Sequence, residues 1–280
     1  MKITVFSSGS SGNSTLIRTS KFNIIVDLGL TKKCIVENLQ KVGLTLSDID
    51  YVFITHEHSD HIKAFPQFLR LDNIKIFISK GALDSIYKFN FNKENNICEM
   101  INKRLEQNTI LLYERKDESI LYYPIEFDDL RIDVLPLFHD AQEPVGFVFK
   151  ENTTRFTYIT DTGYIHKDIM PIIKNSDCYL LESNHDPEIL MHSERPYPLK
   201  IRILSDHGHL SNEKSMVCLA DSMGEKTKLV MHAHVSQECN LDEMIEMTRN
   251  DVFRKMNINT DNIDFVILRP YASKEYEIWE

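Results

Sequence analysis

Short apolar runs recur along the chain, separated by polar and glycine-containing segments, and such runs are typical of buried strands. The predicted strands lie at residues 2–6, 15–19, 23–27, 51–55, 74–78, 130–138, 145–150, 155–160, 178–181, 228–231 and 265–268. Apolar residues at helical spacing, or a capping residue before an apolar segment, predict helices at residues 31–41, 62–71, 82–89, 211–223 and 241–256. Strands and helices that alternate in this way indicate an α/β fold.

Most of the residues that follow these strands are titratable, because strand after strand ends on histidine or an acidic residue. The positions concerned are Asp27, His56, His139, Asp161, Glu182, His232 and His234. A core strand does not require such an ending, whereas an active site at one edge of stacked sheets does. The pattern therefore predicts a polar site built from strand ends.

The densest group of candidate ligands is His56-Glu-His-Ser-Asp-His61. In an extended segment alternate residues point the same way, so His56 and His58 can bind one cation. If a helix then begins, Asp60 and His61 project toward a neighbouring point, and one loop serves two metals about 3.5–4 Å apart. The single-metal motif H-E-x-x-H does not apply, because Asp60 stands where its second histidine would be. The alternative is a surface cluster without a metal.

Composition sets limits on the class of protein. The chain has 280 residues, 42% apolar and 26% charged, as in an ordinary globular protein. We predict one domain over residues 1–280, with an insertion or covering segment at 90–128 that is rich in Asn, Lys and Glu. No apolar stretch is long enough to span a bilayer, so no membrane insertion is expected.

The cysteines and the net charge bear on the cellular compartment and on the substrate. Five scattered cysteines without a C-x-x-C pair predict reduced thiols in a cytoplasmic protein, and no signal peptide is expected. The net charge of −10 argues against a broad basic surface for nucleic acid. Two bound divalent ions would restore positive charge locally, where an anionic substrate would lie.

The motifs together resemble a known family. H-E-H-S-D-H after an apolar strand, followed by His139, by Asp161 in T-D-T-G and by a late histidine, resembles the metallo-β-lactamase superfamily of metallohydrolases. The segments S-G-S-S-G-N (8–13), E-S-N-H-D (182–186), G-H-L-S-N (208–212) and H-V-S-Q-E-C-N (234–240) resemble its YycJ/WalJ/VicX-type subgroup. Those bacterial cytoplasmic proteins are DNA exonuclease-like phosphodiesterases.

The resemblance implies a four-layer αββα sandwich with a dinuclear metal site at one edge of the sheets. It implies that one ion is bound by His56, His58 and His139, the second by Asp60, His61 and His234, and both by Asp161. Asp27 would lie behind the ligands and orient a histidine. Periodicity alone leaves His232 and His234 as alternatives, and the subgroup motif favours His234.

Histidine and carboxylate ligands suit zinc or manganese, and iron also fits. The expected reaction is hydrolysis by a metal-activated water, oriented by Asp60 or the bridging Asp161. His209 is the candidate that protonates the leaving oxygen, its alternative being a loop histidine bonded to backbone. Expected contacts to ligands or substrate are Asn13, Asn184 and His185. Arg195, Lys200 and Arg202 form either a contact for a backbone phosphate or a solvated basic run, and the sequence favours neither.

Three functions remain open at this point. The subgroup motifs favour a nucleic-acid phosphodiesterase, and an exonuclease in particular. The acidic net charge suits a hydrolase of a small substrate, such as a thioester, lactone or cyclic phosphate. The third is an inactive metal-binding regulator, which the intact ligand set argues against.

Overall fold

A computed structural model describes residues 1–93, 95–271 and 273–278. Its strands are β1 (Lys2–Ser7), β2 (Ser14–Arg18), β3 (Asn23–Val26), β4 (Tyr51–Phe53), β5 (Lys75–Ile78), β6 (Ile110–Leu112), β7 (Ile125–Phe127), β8 (Leu130–Pro136), β9 (Val145–Glu151), β10 (Thr154–Ile159), β11 (Cys178–Glu182), β12 (Leu229–Ala233), β13 (Asp264–Ile267) and β14 (Lys274–Glu277). The predicted strands are all present, with ends shifted by a few residues.

Ten helices lie in the described part of the chain: α1 (Lys32–Lys41), α2 (Ser59–Ile62), α3 (Phe65–Phe68), α4 (Lys80–Asn90), α5 (Ile97–Glu106), α6 (Met170–Ile173), α7 (Pro187–His192), α8 (Tyr197–Leu204), α9 (Asn212–Ser222) and α10 (Asp242–Lys255). A 3₁₀ turn covers Leu46–Asp48. None of these helices is long and apolar enough to cross a membrane.

The chain divides into two compact units. The first comprises Met1–Arg115, Ala141–Val145 and the segment from Pro270, and the second comprises Lys116–Asp140 and Gly146–Arg269. The prediction of a single domain with a covering segment at 90–128 stays a prediction. That segment contains α5, β6 and β7, where the sequence pattern showed periodicity only in patches.

The first unit is built on a seven-stranded mixed sheet of order β14-β1-β2-β3-β4-β5-β6. Strands β3 to β6 are parallel to one another, and the pairs β14–β1, β1–β2 and β2–β3 are antiparallel. Apolar side chains of the sheet, including Val52, pack against α1 and α3 through Leu39 and Phe65. Because β3 and β4 are parallel, their carboxyl ends bring Asp27 and His56 to the same edge of the sheet.

The prediction of one continuous helix over residues 62–71 is wrong. The structure has instead the two short helices α2 and α3, and Pro66 lies in the first turn of α3. Proline cannot donate the backbone hydrogen bond that a continuous helix needs there, so the chain starts a new helix. Helix α2 begins at Ser59, within the predicted ligand cluster.

The second unit is built on a sheet of order β13-β12-β11-β10-β9-β8-β7. Strands β10 to β13 are parallel, whereas β9 and β10 form an antiparallel pair. Its core joins strand residues such as Val148 and Val230 to Leu219 of α9 and Phe253 of α10. The parallel arrangement brings the carboxyl ends of β10, β11 and β12 to one edge.

Candidate metal centre

The first unit brings four predicted ligands together after β4. The centroid of the His56 ring lies 4.6 Å from that of His58 and 4.1 Å from that of His61. The Oδ2 atom of Asp60 lies 3.6 Å from Nε2 of His61. His56 and His61 are buried, whereas His58 and Asp60 are partly exposed. Imidazole and carboxylate donors thus converge on one loop.

Asp27 lies beside His61 and contacts its Nδ1 atom. Its backbone is left-handed, with φ 63°, and its Oδ2 atom accepts a 2.8 Å hydrogen bond from Nδ1 of His61. Burial raises the pKa of Asp27, while His61 and the hydrogen bonds from Thr55 oppose that rise. Because the carboxylate accepts from Nδ1, the lone pair of Nε2 in His61 remains for a ligand role.

Thr55 is a site residue that the sequence analysis missed. Its backbone N–H and its hydroxyl both donate to Asp27, at 2.9 Å each, and Oγ1 lies 3.0 Å from Nδ1 of His56. Thr55 therefore joins the orienting acid to the first histidine of the cluster. Nothing in the pattern distinguished it from the other residues of the predicted strand.

Asn13 contacts two of the predicted ligands. Its Nδ2 atom lies 3.0 Å from Nε2 of His61 and 3.3 Å from Oδ2 of Asp60, and its backbone N–H donates to the carbonyl of Asp60 at 2.8 Å. Gly29 packs against the same backbone, where an added Cβ would lie 1.6 Å from the carbonyl oxygen of Asp60. The loop at residues 8–13, through Asn13, thus fixes the position of the ligand loop, residues 56–61.

The second unit brings two predicted ligands, Asp161 and His234, together with Glu182 and the predicted proton donor His209. Donor atoms of Asp161, Glu182, His209 and His234 all lie within 4.8 Å of one another. Asp161 follows β10 in a left-handed conformation, with φ 58°, and its Oδ1 atom lies 3.3 Å from Nδ1 of His234. The same oxygen lies 3.9 Å from Nε2 of His139.

His139 is held in one tautomer by a backbone carbonyl. Its Nδ1 donates to the carbonyl of Gly208 at 2.8 Å, and a carbonyl can only accept, so the proton is on Nδ1. Burial lowers the pKa of His139 to about 4, against the opposing charge of Asp161. The lowered pKa favours the neutral ring, and Nε2, which lies 3.0 Å from Oδ1 of Asp140, is the nitrogen that can bind a cation.

Glu182 connects the two remaining histidines and had no assigned role in the sequence analysis. Its Oε1 atom accepts from Nδ1 of His209 at 2.8 Å and from Nδ1 of His234 at 2.9 Å. Burial would raise the pKa of Glu182, but the charge of His209 and the hydrogen bonds from both histidines outweigh it and lower the pKa to about 2. The available signal was its place at the end of an apolar strand.

The structure separates His232 from His234. His234 has φ 50°, which breaks the alternation of an extended strand, so the two side chains do not share one face. The Nδ1 atom of His232 lies 3.1 Å from the hydroxyl of Ser183, and its ring stacks on Phe265. Burial lowers the pKa of His232 to about 3. His234, and not His232, lies beside Asp161.

Asn184 and His185 follow β11 but have different surroundings. The side-chain amide of Asn184 donates to the carbonyl of His234 at 2.8 Å, so it supports a predicted ligand. His185 is 1% exposed, and its ring makes no hydrogen bond to any residue that the structure describes. Burial lowers the pKa of His185 to about 4.

The basic residues predicted to meet a phosphate have partners within the second unit. Lys200 is buried, and its ammonium donates to the carbonyls of Met191 and Ser193 at 2.8 and 2.6 Å. Arg195 pairs with Glu238, and Arg202 with Asp140. Lys200 is therefore a structural lysine, which corrects the expectation that it faces a substrate.

Residues 23–233 match a family model described as a beta-lactamase superfamily domain. The chain belongs to the metallo-β-lactamase superfamily. It is 31% identical over 271 residues to the exodeoxyribonuclease WalJ of Streptococcus pneumoniae serotype 2, covering 95% of this chain and 93% of the relative. It is 29% identical over 255 residues to the exodeoxyribonuclease YycJ of Bacillus anthracis, covering 91% and 90%. The predicted YycJ/WalJ-type subgroup is confirmed.

The fold agrees with that of a solved metallo-beta-lactamase fold protein, YhfI of Bacillus subtilis, which aligns with a TM-score of 0.66 and 13% identity, with 98% of this chain and 99% of that chain covered. The short form of human tRNase Z aligns with a TM-score of 0.67 and 15% identity, with 100% of both chains covered. The predicted fold class, the αββα metallo-β-lactamase fold, is confirmed by these likenesses and by the family match. Two mixed sheets with their helices account for it in this chain.

The superfamily implies divalent metal ions, and the donors in each unit fit them. His61, His139 and His234 each have Nδ1 beside an oxygen acceptor, namely Asp27, the Gly208 carbonyl and Glu182. Metal-binding histidines show this arrangement, because the second hydrogen bond fixes the ring and leaves the other nitrogen for the ion. The donor sets contain no thiolate, which matches the preference of zinc, manganese and iron for imidazole and carboxylate ligands.

Proposed function

We propose that the protein is a metal-dependent phosphodiesterase that acts on nucleic acid as an exonuclease. One observation carries the proposal: the chain aligns nearly end to end with relatives named exodeoxyribonucleases. The oriented imidazole and carboxylate donors add to it. The alignment supports the substrate class. The donor chemistry supports hydrolysis, since phosphodiester cleavage benefits from metal ions that stabilise charge on the phosphate.

Two divalent ions, zinc or manganese with iron as a further possibility, are the proposed cofactors. We assign His56, His58 and His139 to one ion, Asp60, His61 and His234 to the other, and Asp161 to both. Fixed histidine tautomers and the shared chemistry of the donors support this set. When bound, such ions lower the pKa of a water molecule toward neutrality and polarise a phosphate oxygen.

The chain's own residues then have distinct roles. Asp60 orients the water and accepts its proton, for which its partly exposed carboxylate is suited. His209 gives a proton to the leaving oxygen. Because Glu182 accepts from Nδ1 of His209, the nitrogen that delivers this proton is Nε2. Asp27, Asn13 and Asn184 hold the ligands and do not react.

The test is degradation of end-labelled DNA by purified protein supplied with Mn²⁺ or Zn²⁺. We expect the wild type to shorten the labelled strand, and His58→Ala to abolish this activity with loss of bound metal. His192→Ala, at an exposed histidine of α7, is the matched control and should behave as the wild type. Both metal content and activity are measured.

Two outcomes would contradict the proposal. Hydrolysis of a thioester or of bis-p-nitrophenyl phosphate with DNA left intact would indicate a small-substrate hydrolase, the class that the net charge of −10 favours. Bound metal without turnover of any substrate would indicate a regulator.

We also propose a cytoplasmic location. All five cysteines are free, and Cys178, Cys218 and Cys239 are buried, which suits a reducing compartment. Burial raises the pKa of the Cys218 thiol to about 12, so this thiol is not a reactive nucleophile.

A further inference from the structure

A cavity of about 680 Å³ in the first unit begins at the ligand loop. The polar part of its lining includes His58, Asp60, Ser11 and Glu57. Its volume lies within the range of roughly 300–1,000 Å³ that is typical of ligand pockets. A molecule bound here would therefore touch proposed metal ligands.

Another part of the lining is apolar and aromatic. Ile86 and Phe89 of α4 line it with Ile97 of α5, and the two isoleucines are buried. Phe89 is 71% exposed, an unusual position for a large apolar side chain beside a cavity. An exposed aromatic ring in a cavity that also has polar lining residues is an arrangement that can stack a nucleobase.

Positive charge accompanies the aromatic ring. The ammonium of Lys93 lies 3.1 Å from the centroid of the Phe89 ring, and the exposed Lys63 lines the cavity. A nucleotide combines a flat base with an anionic phosphate and fits this combination of ring and charge. The acyl chain of a thioester or lactone would use the apolar wall but would gain nothing from the lysines.

We propose that this cavity binds the terminal nucleotide of the substrate, with its base stacked on Phe89 and its scissile phosphate beside His58 and Asp60, which line the same cavity. The inference rests on the proposed function and adds to it a recognition site for the strand end. The cavity binds any base, because stacking uses a ring face that all bases have. Phe89 is thus a substrate-binding residue for the exonuclease reaction.

The experiment compares two end-labelled single-stranded oligonucleotides, one with a terminal base and one with an abasic tetrahydrofuran residue at the end that is attacked. The wild type, supplied with Mn²⁺, should cleave the first with a kcat/KM about 5- to 150-fold higher, the value of one stacked base. Phe89→Ala should reduce this ratio toward one, mainly through KM, and Phe89→Trp should retain it.

Phe91→Ala is the matched control. Phe91 is also exposed, at 66%, and lies two residues along the chain, but it does not line the cavity. This variant should keep the wild-type ratio. Equal cleavage of both oligonucleotides by the wild type, or a ratio unchanged in Phe89→Ala, would overturn the inference alone. Cleavage of neither oligonucleotide by the wild type would instead contradict the proposed function.

Discussion

At the scale of single residues, Glu182 has the widest influence on the candidate centre of the second unit. One oxygen of its carboxylate accepts from both His209 and His234, and the other accepts from the backbone N–H groups of Thr162 and Leu210. All four donors are satisfied by one buried anion. Glu182 therefore orients a proposed ligand and the proposed proton donor at the same time.

We predict that Glu182→Gln weakens metal binding about 10- to 100-fold, the usual cost of losing a partner behind a ligand histidine. The neutral amide is a weaker acceptor than the carboxylate, and one of its atoms is a donor. Titration calorimetry of the metal-free protein with Zn²⁺ or Mn²⁺ measures the change. Glu188→Gln, at an exposed acid of α7, is the control, and equal affinities for the two variants would refute the role of Glu182.

At the scale of elements, Arg104 connects helix α5 to the rest of the first unit. Its guanidinium donates to the carbonyls of Leu71 at 2.9 Å and Thr109 at 3.3 Å, and also to that of Ile74. The side chain is 1% exposed. The guanidinium thus donates to backbone carbonyls in the turn after α3. These carbonyls lack the N–H donor that a further helical turn would supply.

We predict that Arg104→Met lowers the free energy of unfolding by about 2–4 kcal/mol, because several buried carbonyls lose their donor. Lys103→Met, at the exposed neighbouring position of the same helix, should change it by less than about 0.5 kcal/mol. Urea denaturation followed by circular dichroism measures both variants. Similar losses for the two would show that helix propensity, and not the guanidinium, governs this attachment.

How much of the fold the sequence predicts depends on the range of the interactions. His56, His139 and Asp161 were predictable because each follows an apolar run. The link from Glu182 to His209 and His234 depends on the parallel pairing of β11 with β12, which no local pattern contains. Strand β14 was missed because its Lys-Glu-Tyr-Glu sequence is polar, and only its antiparallel pairing with β1 makes it a strand.

At the scale of the whole molecule, charge limits how nucleic acid can bind. The net charge of −10 opposes a polyanion, and Arg195 and Arg202 already pair with acidic residues. Lys200 is buried. Affinity for DNA should therefore come from the metal ions and from base stacking more than from ion pairs with the phosphate backbone.

We predict a weak dependence of DNA affinity on salt. A plot of log Kd against log salt concentration should have a slope with a magnitude below about 3, since each neutralised phosphate contributes about 0.7 for single strands. Fluorescence anisotropy with a hydrolysis-resistant phosphorothioate oligonucleotide measures it. A slope with a magnitude above about 5 would indicate an extended basic surface and contradict this picture.

The left-handed backbone of Asp27, Asp161 and His234 has a practical consequence for the design of inactive variants. A left-handed conformation costs roughly 1–3 kcal/mol for most residues, and asparagine and aspartate tolerate it best. Alanine at these positions would remove a functional group and strain the chain at once, so a loss of activity would have two causes. Asparagine keeps the turn while it removes the charge or the imidazole. Substrate-trapping experiments should therefore use asparagine at all three positions.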